Sequence, residues 1–262
     1  MKQSITEELR AMLILFLLAF CFIQSQGQIV NIESKRSNKL DSINWNGSVN
    51  LGFTLVDNGK QVMTIKGNFR LEHIRGSHLF LSITDFKFGK IDKDGFQNEG
   101  FQHLRYNYSI KPRIIWEAFS QIQYNEKIKL RFRGLAGTGP RFGIIHKDPF
   151  YLYAGIMYMY EYNEEEYGDP QVIHYFQDHR ISTYVSFSLK PLDNLHISST
   201  SYFQPVISDF SNLRLSSVTS MNIYITEKLQ FTNSFNITYD SRVPEDVPNT
   251  IYGLASGLKY SF

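Results

Sequence analysis

Charged side chains recur at every second position of several segments, and they are the residues best suited to chemistry in this sequence. Every second side chain of a β-strand lies on the same face. A face rich in arginine and lysine could attract small anions along a polar channel. It could equally form ion pairs that only stabilise the fold. The predicted members of this charged face are Lys66, Arg70, Arg105, Glu117, Arg131, Arg133, Glu161, Arg180, Arg214 and Asp240.

Motifs of known enzymes are absent from the sequence, which has neither a G-x-S-x-G nor an H-E-x-x-H. His103 and Ser109 share one predicted strand face, and His179 is expected to point outward near a strand end. With seven histidines in 262 residues, a histidine and a serine will share a strand face by chance. We therefore predict a noncatalytic protein without cofactor or metal, and we keep a lipid-modifying hydrolase as an alternative.

Two short segments could bind ions. The stretch "GTGPR" (137–141) lacks the lysine and hydroxyl of a phosphate loop, so it predicts a strand irregularity or a close approach of two backbones instead. The stretch "NEEEYGDP" (163–170) offers four carboxylates to a divalent cation but lacks the spacing and central glycine of an EF-hand. We predict a solvated loop there.

The segments that carry the charged face are predicted to be β-strands. In "INWNGSVNLGFTL" (43–55) apolar and polar residues alternate strictly, which is the period of a strand with one apolar and one polar face. Each predicted strand exceeds the roughly 9–11 residues that a tilted strand needs to cross a bilayer. Twelve such segments follow one another: 42–56, 60–72, 78–89, 98–110, 113–125, 127–141, 149–162, 177–190, 194–205, 211–226, 228–240 and 249–262.

The alternation favours an all-β fold, a closed antiparallel transmembrane β-barrel of about twelve strands in an up-and-down meander. A bilayer tolerates no unpaired backbone, so a sheet inside it has to close. Small barrels are usually filled by side chains, which favours stabilising ion pairs over a pore. A secreted β-sandwich is the alternative fold. Segment 78–89 departs from the pattern, because Asp85 and Lys87 fall in phase with apolar residues; this predicts a bulge or an exit from the membrane.

The connections alternate in length, which indicates an orientation. Those after every even-numbered segment are short, whereas long ones lie at the opposite end: 89–99, 162–176 and 241–249. Short turns on the periplasmic side and longer loops outside are typical of outer-membrane barrels. Both termini are therefore expected in the periplasm.

The first 27 residues are predicted to be a signal peptide, which leaves 28–262 as the barrel domain. Lys2 and Arg10 precede an apolar run, 11–23, that is too short to span a bilayer. An uncleaved anchor is the alternative. The single cysteine, Cys21, lies in this run, so the remaining chain would fold without disulfides.

The last strand and the aromatic residues agree with a membrane barrel. Gly257, Tyr260 and Phe262 resemble the terminal signal read by the barrel-assembly machinery. Tyr158, Tyr160 and Tyr162 are predicted to face lipid as a girdle at headgroup level. A formal net charge of +2 is too small to suggest a nucleic-acid partner.

Five runs carry a resemblance to a known family: "WNGSVNLGFTL", "RYNYSIKPRIIWEAFSQIQYN", "LRFRGLAGTGPRF", "ITEKLQFTNSFNITYDSRVPEDVPNT" and "SGLKYSF". They resemble a family of outer-membrane proteins known as domain of unknown function 481, some members of which are labelled salt-induced outer-membrane proteins. The resemblance implies a barrel in the outer membrane of a Gram-negative bacterium, but it implies no activity and no site residues. We expect a monomer that contacts membrane lipid and lipopolysaccharide and serves a structural or envelope-stress role. A narrow, weakly anion-preferring pore is the alternative.

Overall fold

The computed structural model describes residues 44–57, 61–91, 95–168 and 170–260. They form one antiparallel sheet of twelve strands in chain order, so the predicted all-β meander and its strand number are confirmed. Within these ranges no helix has the length and apolar character needed to cross a membrane. The strands are β1 Asn44–Asp57, β2 Gln61–Arg75, β3 His78–Ile91, β4 Gly95–Lys111, β5 Ile114–Asn125, β6 Leu130–Lys147, β7 Phe150–Tyr167, β8 Val172–Leu192, β9 Leu195–Val206, β10 Asp209–Tyr224, β11 Leu229–Asp240 and β12 Thr250–Tyr260.

Two predicted features lie at the chain ends, the signal peptide and the terminal assembly signal. The proposed signal peptide, residues 1–27, and Phe262 fall outside the described residues. Tyr260 is the last residue of β12 and pairs with Leu229 of β11. Gly257, on the same strand, lies opposite Thr232.

The sheet curls, so that one of its faces is enclosed. Tyr184 of β8 contacts Glu117 of β5, and Arg214 of β10 contacts Glu161 of β7, although β8 is not adjacent to β5 in the sheet and β10 is not adjacent to β7. We call the enclosed face the inner face and the opposite one the outer face. Among the described residues no backbone pairing joins β1 to β12, which are the two edges of the sheet.

The two faces differ sharply in polarity. Large apolar side chains on the outer face are exposed, as with Phe53 at 65% and Val185 at 51%. Charged side chains on the inner face are buried, and Glu117, Glu161 and Arg180 are each 0% exposed. Water-soluble proteins bury apolar residues and almost never fully bury unpaired charges. The distribution here is the reverse of the usual one.

Strand β3 does not contain the predicted bulge, since its register with β2 and β4 is unbroken. Leu79, Leu81 and Ile83 point to the inner face and pack with Ile74 as an apolar cluster near the β2–β3 turn. Asp85 continues on the same face and accepts a hydrogen bond from Asn68. Part of the inner face is therefore apolar, which strict alternation did not anticipate.

The hairpins at one end of the sheet are longer than predicted. β7 and β8 extend to Tyr167 and Val172, so most of the predicted loop 162–176 is strand. Glu165 within it is buried on the inner face. The prediction of a solvated acidic loop was wrong, because the strand alternation continues through the acidic residues. Residues 241–249 form the one long connection between described strands.

The segment "GTGPR" lies in β6 where two backbones approach closely, as predicted. A Cβ atom on Gly139 would lie 2.2 Å from the carbonyl oxygen of Ile156 on β7. Phe119 packs over Gly137, where a Cβ would meet the ring at 2.6 Å.

Gly139→Ala is expected to lower the free energy of unfolding by about 1–3 kcal/mol, because backbone atoms cannot move aside cheaply. Gly52→Ala is the matched control, since nothing lies within 4 Å of its added Cβ. Denaturant unfolding of the refolded protein, followed by circular dichroism, measures both changes. Equal stabilities of the two variants would contradict the close approach.

Candidate functional site

Glu161 on β7 is the centre of a buried ion cluster on the inner face. Arg214 binds both of its carboxylate oxygens, each at 3.1 Å. The Nε atom of Arg180 lies 3.0 Å from Glu161 Oε2, and that of Arg133 lies 3.4 Å from Oε1. One carboxylate therefore holds three guanidinium groups from three different strands.

Four further charges complete this cluster. Asp178 binds Arg180 at 3.2 Å and Arg242 at 2.6 Å. Asp240 binds Arg214 at 2.8 Å, and Glu165 lies 3.5 Å from Arg133. We call the set the Glu161 network. It contains as many carboxylates as arginines, and the attraction between them offsets the desolvation cost of burying the charges. Its members are Glu161, Glu165, Asp178, Asp240, Arg133, Arg180, Arg214 and Arg242.

A second buried cluster surrounds Glu117 on β5. Arg105 lies 3.1 Å from Oε2, and Arg141 lies 3.7 Å from Oε1. The hydroxyl of Tyr184 donates a hydrogen bond of 2.5 Å to Oε2. The guanidinium of Arg141 also lies 3.9 Å from the ring centre of Tyr153. These contacts join β4, β5, β6 and β8 to one another across the inner face.

Tyr184→Phe is expected to cost about 1.5–3 kcal/mol of stability, because it removes a buried hydrogen bond to a charged acceptor. Tyr158→Phe is a suitable control, since the Tyr158 hydroxyl bonds to the exposed His179 ring on the outer face. Urea unfolding of both variants gives the comparison. A Tyr184 variant as stable as the control would show that this bond contributes nothing.

Lys66 and Arg70 lie on the inner face of β2. Arg70 pairs with Glu72 at 2.8 Å. Lys66 is opposite Lys87 of β3, and Lys87 lies 3.7 Å from Glu99 of β4. This group lies apart from the two buried clusters and is less completely enclosed.

Arg131 is the predicted inner-face residue that the structure places elsewhere. The register between β6 and β7 shifts between Leu130 and Phe132, so Arg131 is the extra residue of a bulge. Its side chain is 52% exposed and lies 3.8 Å from Glu166. A one-residue bulge reverses the facing of the residues on one side of it.

The loop 241–249, between β11 and β12, folds inward over one end of the sheet; we call it the cover loop. Lys129, in the β5–β6 turn, binds Asp246 at 2.8 Å, and Arg242 binds Asp178 of β8. Pro244 and Val247 are buried. The hydrogen bond from Lys129 holds the pKa of Asp246 below its ordinary value. This tie is therefore complete at neutral pH and weakens as the pH falls through the pKa of Asp246.

A cavity of about 330 Å³ lies beneath the cover loop. Its wall includes inner-face residues of β4, β5, β6 and β9 to β12. Sequence reasoning missed Asp178, Glu165 and Arg242 as members of the charged site. Glu165 and Arg242 lie beyond the strand limits that the alternation defined, so no local signal pointed to them. Asp178 lies inside the predicted strand 177–190, two residues before Arg180 and in the same phase, so the alternation already indicated its position on the inner face.

The geometry supports neither the His103 and Ser109 pair of a hydrolase nor a metal site within the described residues. His103 hydrogen bonds to Gln121 at 2.9 Å, whereas Ser109 lies six residues along the same strand, about 20 Å away. Among the described residues no group of three or more His, Cys, Asp or Glu side chains could hold a metal ion. The three tyrosines of β7 face outward, as predicted, since their neighbours Met159 and Glu161 are buried inside.

Comparisons with known proteins place the chain in a family. No curated protein matches it. A solved structure entitled "NanC porin structure in rhombohedral crystal form" is similar, with a TM-score of 0.47 and 9% identity, covering 76% of this chain and 94% of that one. Residues 49–262 match the family described as "Protein of unknown function, DUF481". Since that match covers most of the sequence, the chain belongs to the DUF481 family.

Proposed function

We propose that the protein is an outer-membrane β-barrel whose outer face is covered by hydrocarbon. The observation that carries this proposal is the reversed polarity of the two faces. Exposed Leu, Ile, Phe and Tyr side chains alternate with buried charges along the strands. A bilayer stabilises that arrangement, whereas water would leave a very large apolar surface exposed.

In this proposal the edges of β1 and β12 pair and close the barrel. Unpaired backbone groups are too costly inside a bilayer, and an even strand number is usual for bacterial barrels. Asn44 of β1 and Tyr260 of β12 lie at the end of the sheet that carries the short turns. Both termini would then lie in the periplasm, and the barrel-assembly machinery would insert the chain.

The interior is proposed to be structural and noncatalytic. The Glu161 network and the Glu117 cluster join strands that are not adjacent, β7 with β10 and β5 with β8, through buried charges that are already paired. Such pairs hold a filled interior in one arrangement and leave few charges free to act on a substrate. The protein would act as a monomer in contact with membrane lipid and lipopolysaccharide, in support of the envelope.

A membrane-partition experiment tests the location. Residues 28–262, refolded from urea, should fold in detergent micelles or lipid vesicles and float with the vesicles in a density gradient. Without detergent or lipid the same chain should aggregate. A folded, monodisperse protein in detergent-free buffer would exclude the membrane proposal.

The filled interior predicts little ion conduction. In planar bilayers the purified protein is expected to give no large, stable open-channel steps, since two buried ion networks cross its interior. The second candidate function, a narrow anion-preferring pore, is favoured by the Lys66 and Lys87 pair facing each other on the inner face. A pore would show steady conductance whose anion preference falls in Lys66→Glu, and that result would replace the structural role.

A further inference from the structure

The five short turns at one end of the sheet differ in charge. Three of them, β6–β7, β8–β9 and β10–β11, have one lysine and one carboxylate at or within three residues of the turn, so their formal charges cancel. We call them the neutral turns. Their charged residues are Lys147 and Asp148, Lys190 and Asp193, and Lys228 and Glu227.

The turns β2–β3 and β4–β5 are basic instead, and we call them the basic turns. They carry Arg75, Lys111 and Arg113, which are all exposed, and no carboxylate lies within three residues of either turn. The two turns are side by side, since the Ser109 N–H donates a hydrogen bond of 2.8 Å to the Ser77 carbonyl oxygen. Three positive charges are therefore concentrated on one part of this end of the sheet.

The carboxylates nearest in the chain do not balance this charge. They are Glu72 and Glu117, each four residues from its turn, and both are buried on the inner face. Glu72 is bound to Arg70 at 2.8 Å, and Glu117 to Arg105 at 3.1 Å. The basic turns thus present a surplus of positive charge at the surface.

An aromatic row lies on the outer face beside the basic turns. Arg75 is opposite His78, and His78 is opposite Tyr108 with 5.1 Å between the ring centres. Tyr108 is in turn opposite Trp116, which is 44% exposed and donates a hydrogen bond from Nε1 to Thr138 at 2.8 Å. Each member of the row has a buried inner-face residue next to it in the chain, so the row itself faces outward. Tyrosine and tryptophan favour the headgroup level of a bilayer.

We propose that the basic turns and the aromatic row form a binding surface for the headgroup of an anionic phospholipid. Its phosphate oxygens would accept charge-assisted hydrogen bonds from Arg75, Lys111 and Arg113. Its glycerol ester region would lie against the rings of Tyr108 and Trp116. Clusters of lysine and arginine beside a membrane attract anionic lipids, and the neutral turns offer no such surplus. The inference rests on the proposed membrane location and adds a lipid class and a site to it.

Quenching of Trp116 fluorescence by brominated lipid tests this surface. The sequence has two tryptophans, Trp45 and Trp116, so Trp45→Phe leaves one reporter beside the basic turns. Residues 28–262 with this change are folded into phosphatidylcholine vesicles that contain a small share of brominated phosphatidylglycerol or brominated phosphatidylcholine, with bromine near the top of the acyl chains. Phosphatidylglycerol is expected to associate with the surface at least roughly fivefold more strongly than phosphatidylcholine, and added salt should reduce this preference.

A triple variant of the basic turns locates the preference. Arg75→Gln, Lys111→Gln and Arg113→Gln together remove the surplus charge, so the two lipids should then associate within roughly twofold of each other. Quenching by brominated phosphatidylcholine has to persist in this variant, and it shows that the chain is still folded in the bilayer.

The matched control removes the same number of positive charges from the neutral turns and should keep the preference. It combines Lys147→Gln, Lys190→Gln and Lys228→Gln. Equal quenching of the parent by the two lipids, or a basic-turn variant that behaves like this control, would overturn the anionic-lipid surface and leave the membrane location intact. Quenching by neither lipid would show that the outer face does not contact lipid, and both proposals would then fail.

Discussion

Glu161→Gln is expected to lower the free energy of unfolding by about 3–5 kcal/mol, since it removes the charge that compensates three buried arginines. The glutamine keeps the size of the side chain, so the loss would reflect charge and hydrogen bonding rather than a cavity. Arg133, Arg180 and Arg214 would remain buried with too few carboxylates around them. Asp178, by comparison, contacts two guanidinium groups, those of Arg180 and Arg242.

Glu166→Gln is the matched control, on the same strand five residues away. Its carboxylate lies 3.8 Å from the half-exposed Arg131, and surface pairs of this kind contribute about 0–1 kcal/mol. Urea titrations of both variants in lipid vesicles, followed by tryptophan fluorescence, give the two free energies. If the two substitutions cost the same, the Glu161 network does not stabilise the fold.

Val185→Arg is expected to destabilise the protein by about 2–4 kcal/mol, because it places a charge on the outer face near the middle of the bilayer. Val185 lies opposite Ser201, at the centre of the short strand β9. Its side chain is 51% exposed and would contact hydrocarbon in the proposed barrel.

Tyr175→Arg provides the depth control. Tyr175 lies ten residues before Val185 on β8, so it is on the same outer face, and it is 62% exposed near the start of the strand. Near the membrane surface an arginine should cost only about 0–1 kcal/mol. A protein in water would show no such difference between two exposed positions. Equal costs in vesicle-based unfolding would therefore argue against hydrocarbon around the sheet.

Much of the fold could be predicted from local pattern. Alternation along 60–72 already places Lys66 and Arg70 on one face, and the structure has both there. The two-residue period is a property of the extended backbone itself. The face of each residue can therefore be predicted from one strand without information on its neighbours. The strand number could be predicted for the same reason, since polar turns interrupt the alternation at regular intervals.

Local pattern failed where one residue or one neighbour changed the geometry. Arg131 points away because a bulge between Leu130 and Phe132 shifts the facing by one residue. The apolar residues of β3 point inward because the register of β3 with β2 and β4 places them there, where they pack with Ile74 of β2. The acidic end of β7 is a strand because β8 supplies hydrogen-bond partners for it. None of these causes is visible within one segment.

The sequence by itself determined the all-β meander of twelve strands, the family, and the face on which most charged residues lie. Tertiary structure alone decided which charges meet. Glu161 and Arg214 are 53 residues apart in the chain, and Lys129 and Asp246 are 117 apart. Their contact depends on how far the sheet curls and how its strands are staggered, which are properties of all the strands together. The position of the cover loop and the cavity beneath it follow from the same non-local geometry.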